Sequence, residues 1–331
     1  MLIRVPDYYD KFRCLAGACP HSCCEKWEVV VDEDTARRYL SVPGALGEKL
    51  RAELRCDADG DWCFPLNGGR CPFLDEENLC QIHRELGQEA TSVTCREHPR
   101  FTEDYGAFRE ITLSASCPAA NDLLLGSTAP LGFVEWETDE PGEEADEWLA
   151  FLLPIRERML ALLADRTAPL DRRLAALLTY AAAAQEVLDD ERMEELERLL
   201  VPAAEGGVVL PGAAWDALAA LEVLEGDWPD LLSRAKTAAP AGEEALLERI
   251  AVYFAFRYLL KAVNDGDLLS RAQFVVLSVC AAARLAGVCG LGEALRRFSC
   301  EIEHSDENVE RLLEQFRQEP ALWPEAFLDR A

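Results

Sequence analysis

The chain has 331 residues, half of them apolar, with 61 acidic against 33 basic side chains and a formal net charge of -28. That length allows one large or two ordinary domains with a substantial core, so thirteen cysteines are not needed as covalent staples. The negative balance argues against direct nucleic-acid binding, whose phosphate contacts need clustered Lys and Arg, and it suits a basic partner better.

The N-terminal run MLIRVPDYYDKF carries Arg4, Asp7, Asp10 and Lys11 and lacks the apolar stretch of a secretory signal. The expectation is a cytoplasmic, reducing environment, where clustered thiols serve as metal ligands or redox groups. The longest charge-free runs, such as Ala272 to Ala283, are too short for a bilayer, so no membrane span is expected.

Cysteine placement is uneven. Ten of the thirteen lie within residues 1–120, and four of these fall in the eleven residues Cys14 to Cys24, CLAGACPHSCC. After the double cysteine, Trp27 is a candidate shield for a metal centre, against an ordinary core position. The β-branched run Val29–Val31 predicts a strand, followed by a helix capped by Asp32 or Asp34 with Ala36, Tyr39 and Leu40 facing inward. Residues 41–70 are rich in Gly, Pro and Asp, and LNGGR at Leu66 to Arg70 signals a turn. Cys71, Cys80, Cys95 and Cys117 follow, each beside a chain-bending residue or turn, and irregular backbone can aim thiolates at a shared centre.

The Gly, Pro and acid content of residues 126–147 predicts a linker, and from 148 the periodicity is helical. Trp148, Leu152, Ile155, Met159 and Leu163 share a face over 145–165, with Pro154 as a kink. Further helices are expected at 169–188, 190–201, 212–235, 243–263, 267–286 and 305–317. Two of them, beginning at Ile250 and Ala272, are apolar nearly all round and belong inside a bundle, with NDGD (Asn264–Asp267) as the turn between them. Tyr253, Arg257, Tyr258 and Lys261 make a polar strip across the first. A buried arginine needs an anion, so the strip is a candidate ligand wall; the alternative is snorkelling to the surface. The fold class expected is therefore mainly α: a cysteine-rich, loop-rich metal-binding domain with little strand (1–125), a linker (126–147) and an all-helical domain (148–331).

Eight cysteines stand out by context: Cys14, Cys19, Cys23, Cys24, Cys71, Cys80, Cys95 and Cys117. They suffice for two four-thiolate centres, or for one cluster with a second zinc-like site. Their spacing matches neither a zinc ribbon nor the ferredoxin run CxxCxxCxxxCP, and CxxxCxxC is absent. His21, His83 and His98 leave a mixed Cys/His site open. Cys56 and Cys63 look supernumerary, and Cys280, Cys289 and Cys300 read as small core hydrophobes. GVCGLG (Gly287–Gly292) follows a helix with no strand before it, so it reads as a helix stop and not a nucleotide loop.

FRCLAGACPHSCCEKWEVVVDEDTARRY, CPFLDEENLCQIHRELG, TCREHPRF and EITLSASCPAANDLLL, with YFAFRYLLKAVNDGDLLSRAQFVVLSV towards the C-terminus, resemble the flagellin lysine-N-methylases, which share their cysteine pattern with zinc- or iron-chelating cysteine-rich domain proteins. Ala119 departs from the Glu that tends to follow SCP in that family. The resemblance implies S-adenosylmethionine-dependent N-methylation of flagellin lysines, or of another lysine-bearing protein. It also implies a metal centre held by the eight cysteines named above, an iron-sulfur (4Fe-4S) cluster or zinc. Lysine methylation needs a neutral amine and acids that attract its cation, which makes Glu110 and Asp265 candidates for those contacts and Tyr253, Arg257 and Tyr258 candidates for the cofactor pocket. The alternative is a non-catalytic zinc- or iron-binding module that recruits a protein partner.

Overall fold

The computed structural model describes residues 1–25, 29–57, 60–196, 198–201 and 206–329. Trp27 lies outside the described residues. In chain order the elements are β1 (Leu2–Pro6), β2 (Val29–Val31), α1 (Glu33–Ser41), α2 (Gly44–Glu53), β3 (Arg55–Cys56), β4 (Trp62–Phe64), α3 (Gln81–Leu86), α4 (Val93–Glu97), β5 (Arg100–Asp104), β6 (Phe108–Leu113), α5 (Pro118–Leu125) and β7 (Phe133–Glu137). Helices then dominate: α6 (Leu149–Ala164), α7 (Leu170–Asp189), α8 (Met193–Leu196), α9 (Gly212–Ala219), α10 (Trp228–Ala235), α11 (Glu244–Tyr258), α12 (Leu268–Cys289), α13 (Leu291–Phe298) and α14 (Asp306–Gln318). The protein is mainly α.

Contacts divide the chain into two units. A cysteine unit comprises Lys11–Phe101 with Cys117–Ala120, and a helical unit comprises Met1–Asp10, Thr102–Ser116 and Asn121–Ala331. The boundaries therefore differ from 125 and 148: the first ten residues and β6 belong with the helices.

In the cysteine unit, β2 pairs antiparallel with β4, which pairs with β3. Asp32 ends β2 and caps α1 as its sequence suggests, one carboxylate oxygen accepting the Thr35 N–H at 2.9 Å while the other accepts the Val93 N–H at 2.9 Å. One side chain thus fixes the starts of both α1 and α4. The core holds Val31, Ala36, Tyr39, Phe64 and Phe73, with Phe64 and Phe73 ring centroids 4.7 Å apart. Leu40 is 43% exposed, contrary to its expected inward position, because Ala36 and Tyr39 already fill the buried stripe of α1.

In the helical unit, a four-stranded sheet runs β5-β6-β1-β7, with β1 parallel to β6 and antiparallel to β7. Two expectations are corrected here, while the named elements over 148–331 are all helical, as expected. Among the described residues six strands begin before residue 125, where little strand was expected. The expected linker contains β7, which pairs residue for residue with β1 from Leu2↔Glu137 to Pro6↔Phe133. These strands span two to six residues each, too short for alternation to stand out against neighbouring Gly, Pro and acid.

The core helix α12 packs against α7, α10, α11, α13 and α14. Among the described residues it is the one helix long and apolar enough to cross a membrane, although no such span was expected; Arg271 and Arg284 bound its charge-free run, and burial inside the unit accounts for its apolarity. The expected helix over 212–235 breaks into α9 and α10. The interruption is held by side chains: Glu301 accepts the Leu224 and Glu225 N–H groups, and Asn308 Oδ1 accepts that of Glu222. The expected 190–201 helix shortens to α8. Gly290, at φ +84°, does stop α12, and α13 starts directly after it.

Sheet and helices are joined by buried charge. Arg156 of α6 forks onto Glu110 of β6 at 2.6 and 2.7 Å, and its guanidinium lies 5.1 Å from the Phe256 ring centroid. Arg4 of β1 lies over Phe133 and bonds Glu157 at 2.6 Å. Glu248 of α11, wholly buried, receives Arg166 and Arg173.

Removing one partner of the Glu110–Arg156 pair leaves an unpaired buried charge. Arg156→Met is therefore expected to cost about 3–5 kcal/mol in denaturant unfolding, and Glu110→Gln added to it should restore part of that loss. A double variant no more stable than the single one would refute the coupling. A second expectation concerns His98, whose pKa burial lowers from 6.5 to about 4. Between those values the unfolded chain binds a proton that the folded chain refuses, so stability falls as pH drops from 6.5 towards 4, by roughly 3 kcal/mol in all. His98→Gln should flatten the fall in denaturant midpoint between pH 7 and pH 4.5, and parallel curves for the two proteins would show that His98 does not contribute.

Candidate metal centre

All thirteen cysteines are free thiols. The eight singled out by context all lie in the cysteine unit. Cys14 opens a tight loop in which its Sγ accepts the Ala16 N–H at 3.3 Å, the Cys19 N–H returns to the Ala16 carbonyl at 3.0 Å, and the Cys19 thiol donates to the His21 carbonyl at 3.1 Å. Gly17 permits the close approach of this loop to the next one, since a Cβ there would stand 2.7 Å from the Glu77 carbonyl oxygen.

The Cys71 N–H donates to the Cys24 carbonyl at 2.7 Å. A bridge between Leu74 and Cys80, with the Leu74 N–H on the Cys71 carbonyl at 3.0 Å, folds Cys71 and Cys80 back towards one another. Cys71 belongs to the apolar core of the unit, and Cys24 and Cys80 pack against it. Cys95 sits on α4, its N–H held by the capping Ser92 hydroxyl at 3.3 Å. Cys117 immediately precedes α5.

The thiols crowd one another electrostatically. The Cys23 thiol donates to Cys24, which raises the pKa of Cys23 and lowers that of Cys24, so Cys24 ionises first. Burial pushes Cys71 up to about 12, with the charges of Cys24, Cys95 and Cys80 adding to the rise. Cys95 presents part of its surface to solvent, yet desolvation of its thiol and the charges of Cys24 and Cys80 raise it to about 11. Cys19, Cys80 and Cys117 are raised too, burial first and neighbouring thiols after it. A cation reverses this balance, since it favours the thiolates that the apo environment opposes. Thiolates are the donor type that thiophilic metals take. Among the described residues no three His, Cys, Asp or Glu side chains form a group that could hold a metal ion.

The remaining cysteines stand apart from this set. Cys56 is exposed on β3 and Cys63 buried on β4, while Cys280, Cys289 and Cys300 are half-buried on helical turns of the other unit. Of the histidines, His21 offers its carbonyl to Cys19, His83 is exposed on α3, and His98 is the desolvated group discussed above.

In the helical unit, the polar strip of α11 finds its anion within the chain. Tyr253 and Tyr258 hydroxyls donate to Glu303 at 3.1 Å, and Arg257 Nε lies 3.3 Å from the same carboxylate. Lys261 pairs instead with Glu103. Glu303 ends the π-helical turn Ser299–Glu303, and the next residue, His304, places Nε2 2.8 Å from the Ser116 hydroxyl and 3.3 Å from that of Ser114. Sequence reasoning missed Glu303, His304 and these serines; the run EIEH after an amphipathic helix is the available signal, and a π-turn has no periodicity of its own to disclose it. Glu110 has both oxygens engaged by Arg156, and burial raises its pKa against that pull. Asp265 is engaged by Arg271 at 2.8 and 2.9 Å in the turn before α12. Neither lies among the thiols.

The chain is 26% identical over 207 residues to a lysine-N-methylase of Salmonella typhimurium, a match covering 59% of this chain and 51% of the relative, and it matches the lysine-N-methylase of Salmonella choleraesuis to the same extent. It thus spans about half the length of those two relatives. It is 30% identical over 126 residues to the flagellar biosynthetic protein FliU of Salmonella muenchen, covering 36% of this chain and 75% of that protein. No family model matches. No solved structure matches either. With three-quarters of FliU covered at that identity and two lysine-N-methylases alongside it, the chain belongs to the flagellin lysine-N-methylase family.

Proposed function

We propose that the protein transfers methyl groups from S-adenosylmethionine to the ε-amino groups of lysines on a flagellin, and that its cysteine unit carries a thiolate-bound metal centre, iron-sulfur or zinc. The observation that carries this reading is the match to the two lysine-N-methylases. The FliU match favours a flagellar substrate.

The chemistry sets what the protein has to supply. A lysine side chain, with a pKa near ~10.4, is almost wholly protonated at neutral pH and has no lone pair to attack a sulfonium methyl. Methyl transfer forms a C–N bond as the C–S bond breaks, so the ammonium proton must leave first and the amine must be held in line. A protein of net charge -28 attracts lysine-bearing surfaces and raises their local concentration. Holding the metal falls to Cys14, Cys19, Cys23, Cys24, Cys71, Cys80, Cys95 and Cys117. When bound, the metal supplies the positive charge that makes their thiolates stable together.

A second reading is a metal-binding module that recruits a protein without modifying it. It rests on one observation: the eight cysteines all lie in the cysteine unit.

Coexpression with a flagellin, followed by intact-mass and peptide mass spectrometry, separates the two. Methyl-sized increments on lysine that require this protein are the expected result. A flagellin that stays unmodified while co-purifying with the protein would establish the recruiting module instead.

A further inference from the structure

We propose that β7, at the edge of the four-stranded sheet of the helical unit, is a docking strand that takes an extended, lysine-bearing segment of a protein partner as a further strand. The proposal rests on the reading above for its partner, a lysine-bearing protein, and adds the surface that holds it.

The backbone of β7 is only half used. Strand order is β5-β6-β1-β7, so among the described residues no strand lies beyond β7. Antiparallel strands exchange both of their bonds at every second pair. The phase is set at either end: the Thr138 N–H donates to the Met1 carbonyl at 2.8 Å, the Met1 amino group donates to the Thr138 carbonyl at 3.0 Å, and the Asp7 N–H donates to the Gly132 carbonyl at 2.9 Å. Between those ends Trp136 and Val134 turn their backbone groups to β1, opposite Ile3 and Val5. The N–H and C=O groups of Phe133, Glu135 and Glu137 therefore point away from the sheet, in the register that a further strand requires.

Side chains and charge choose the occupant. Phe133 stacks on Phe256 with ring centroids 4.1 Å apart, and Glu135 pairs with Arg4 at 3.2 Å, so that face of β7 belongs to the sheet and its helices. Val134 and Trp136 lie on the opposite face, 46% and 38% exposed. Alternate side chains of an added strand lie across them, and a lysine stem covers an indole while its ammonium reaches the carboxylates beside it. From Glu135 to Glu147 the chain carries eight acids and no Lys or Arg. An exposed edge invites pairing with a second copy, and these acids oppose it, because two copies would set Glu135 and Glu137 against like charges. A cationic strand meets the opposite sign instead. The same charges thus reject the chain's own edge and select a lysine-bearing one.

The test uses the full chain and a dye-labelled peptide of about ten residues that alternates Lys with Thr, read by fluorescence anisotropy. Saturable binding that weakens with added salt is expected. Two altered peptides should bind roughly tenfold more weakly or worse: one with Glu for Lys, and one with backbone N-methyl groups on consecutive central residues, which keeps every charge and blocks strand pairing on both edges. Glu137→Pro should weaken the unaltered peptide by a similar factor, since it removes an outward N–H and leaves the bonds to β1 in place. Glu137→Gln combined with Asp139→Asn keeps the edge and should flatten the salt dependence. No binding, or equal binding of the N-methylated and unaltered peptides, or full binding by Glu137→Pro, overturns the docking strand. A concentration-dependent dimer abolished by Glu137→Pro overturns it as well, by assigning the edge to a second copy. Circular dichroism shows whether Glu137→Pro folds; where it does not, the peptide pair and the charge variant decide. Flagellin methylation is scored separately. Peptide binding at β7 without methylation counts against the methylase reading alone, and methylation without peptide binding counts against the docking strand alone.

Discussion

The cysteine unit depends on one backbone hydrogen bond, from the Cys71 N–H to the Cys24 carbonyl. It joins the end of the CLAGACPHSCC stretch to the start of the CPFLDEENLC loop, segments separated by α1, α2 and the three strands β2, β3 and β4. Loop closure across that span costs entropy that the bond alone cannot supply. The apolar cluster beneath it, with Tyr39 and Phe64 ring centroids 5.7 Å apart and the Phe73 ring tilted against Phe64, is what holds the ends in register. Once they are in register, Cys24 has no choice of neighbours.

The helical unit solves a different electrostatic problem. A chain with 61 acids still buries Glu110, Glu248 and Glu303, and each meets at least one arginine: Arg156, the pair Arg166 and Arg173, and Arg257. Pairing of this kind adds little net stability over apolar packing, but it fixes which helix face meets which strand, because a mismatch strands a charge. It also bears on chemistry. The carboxylates that look available in sequence, Glu110 and Asp265, are engaged by arginines, and the cationic strip of α11 is neutralised by Glu303 without any ligand.

Local signals were legible where one element decides its own fate. Val29–Val31 followed by Asp32 reads as strand, cap and helix because the cap bond spans only three residues. The NDGD turn is equally local: Gly266 takes φ +74° and Asp267 caps α12. Features fixed by distant partners were not legible. FVEWE becomes β7 only because β1 lies beside it, and the break between α9 and α10 depends on Glu301 and Asn308, far along the chain. The cysteines fall between these cases. Their density was legible, but the backbone contacts that surround them, the Leu74–Cys80 bridge and the close approach at Gly17, have no sequence signature.

The concentration of thiols in one unit has a thermodynamic reason. Helices α7, α11 and α12 bury long apolar faces, and that part of the chain can fold on its core alone. The segment Lys11–Phe101 is roughly ninety residues with three short strands and short helices, so much of its chain is irregular and its apolar core is correspondingly limited. For such a segment, metal binding to ordered thiolates becomes folding free energy, because the unfolded chain offers no preformed site. Without metal the buried Cys71 and Cys95 thiols stay neutral, since desolvation raises their pKa. Under the proposed metal binding, ligand and fold of the cysteine unit are one equilibrium, whereas Cys280, Cys289 and Cys300 lie on helical turns of the other unit.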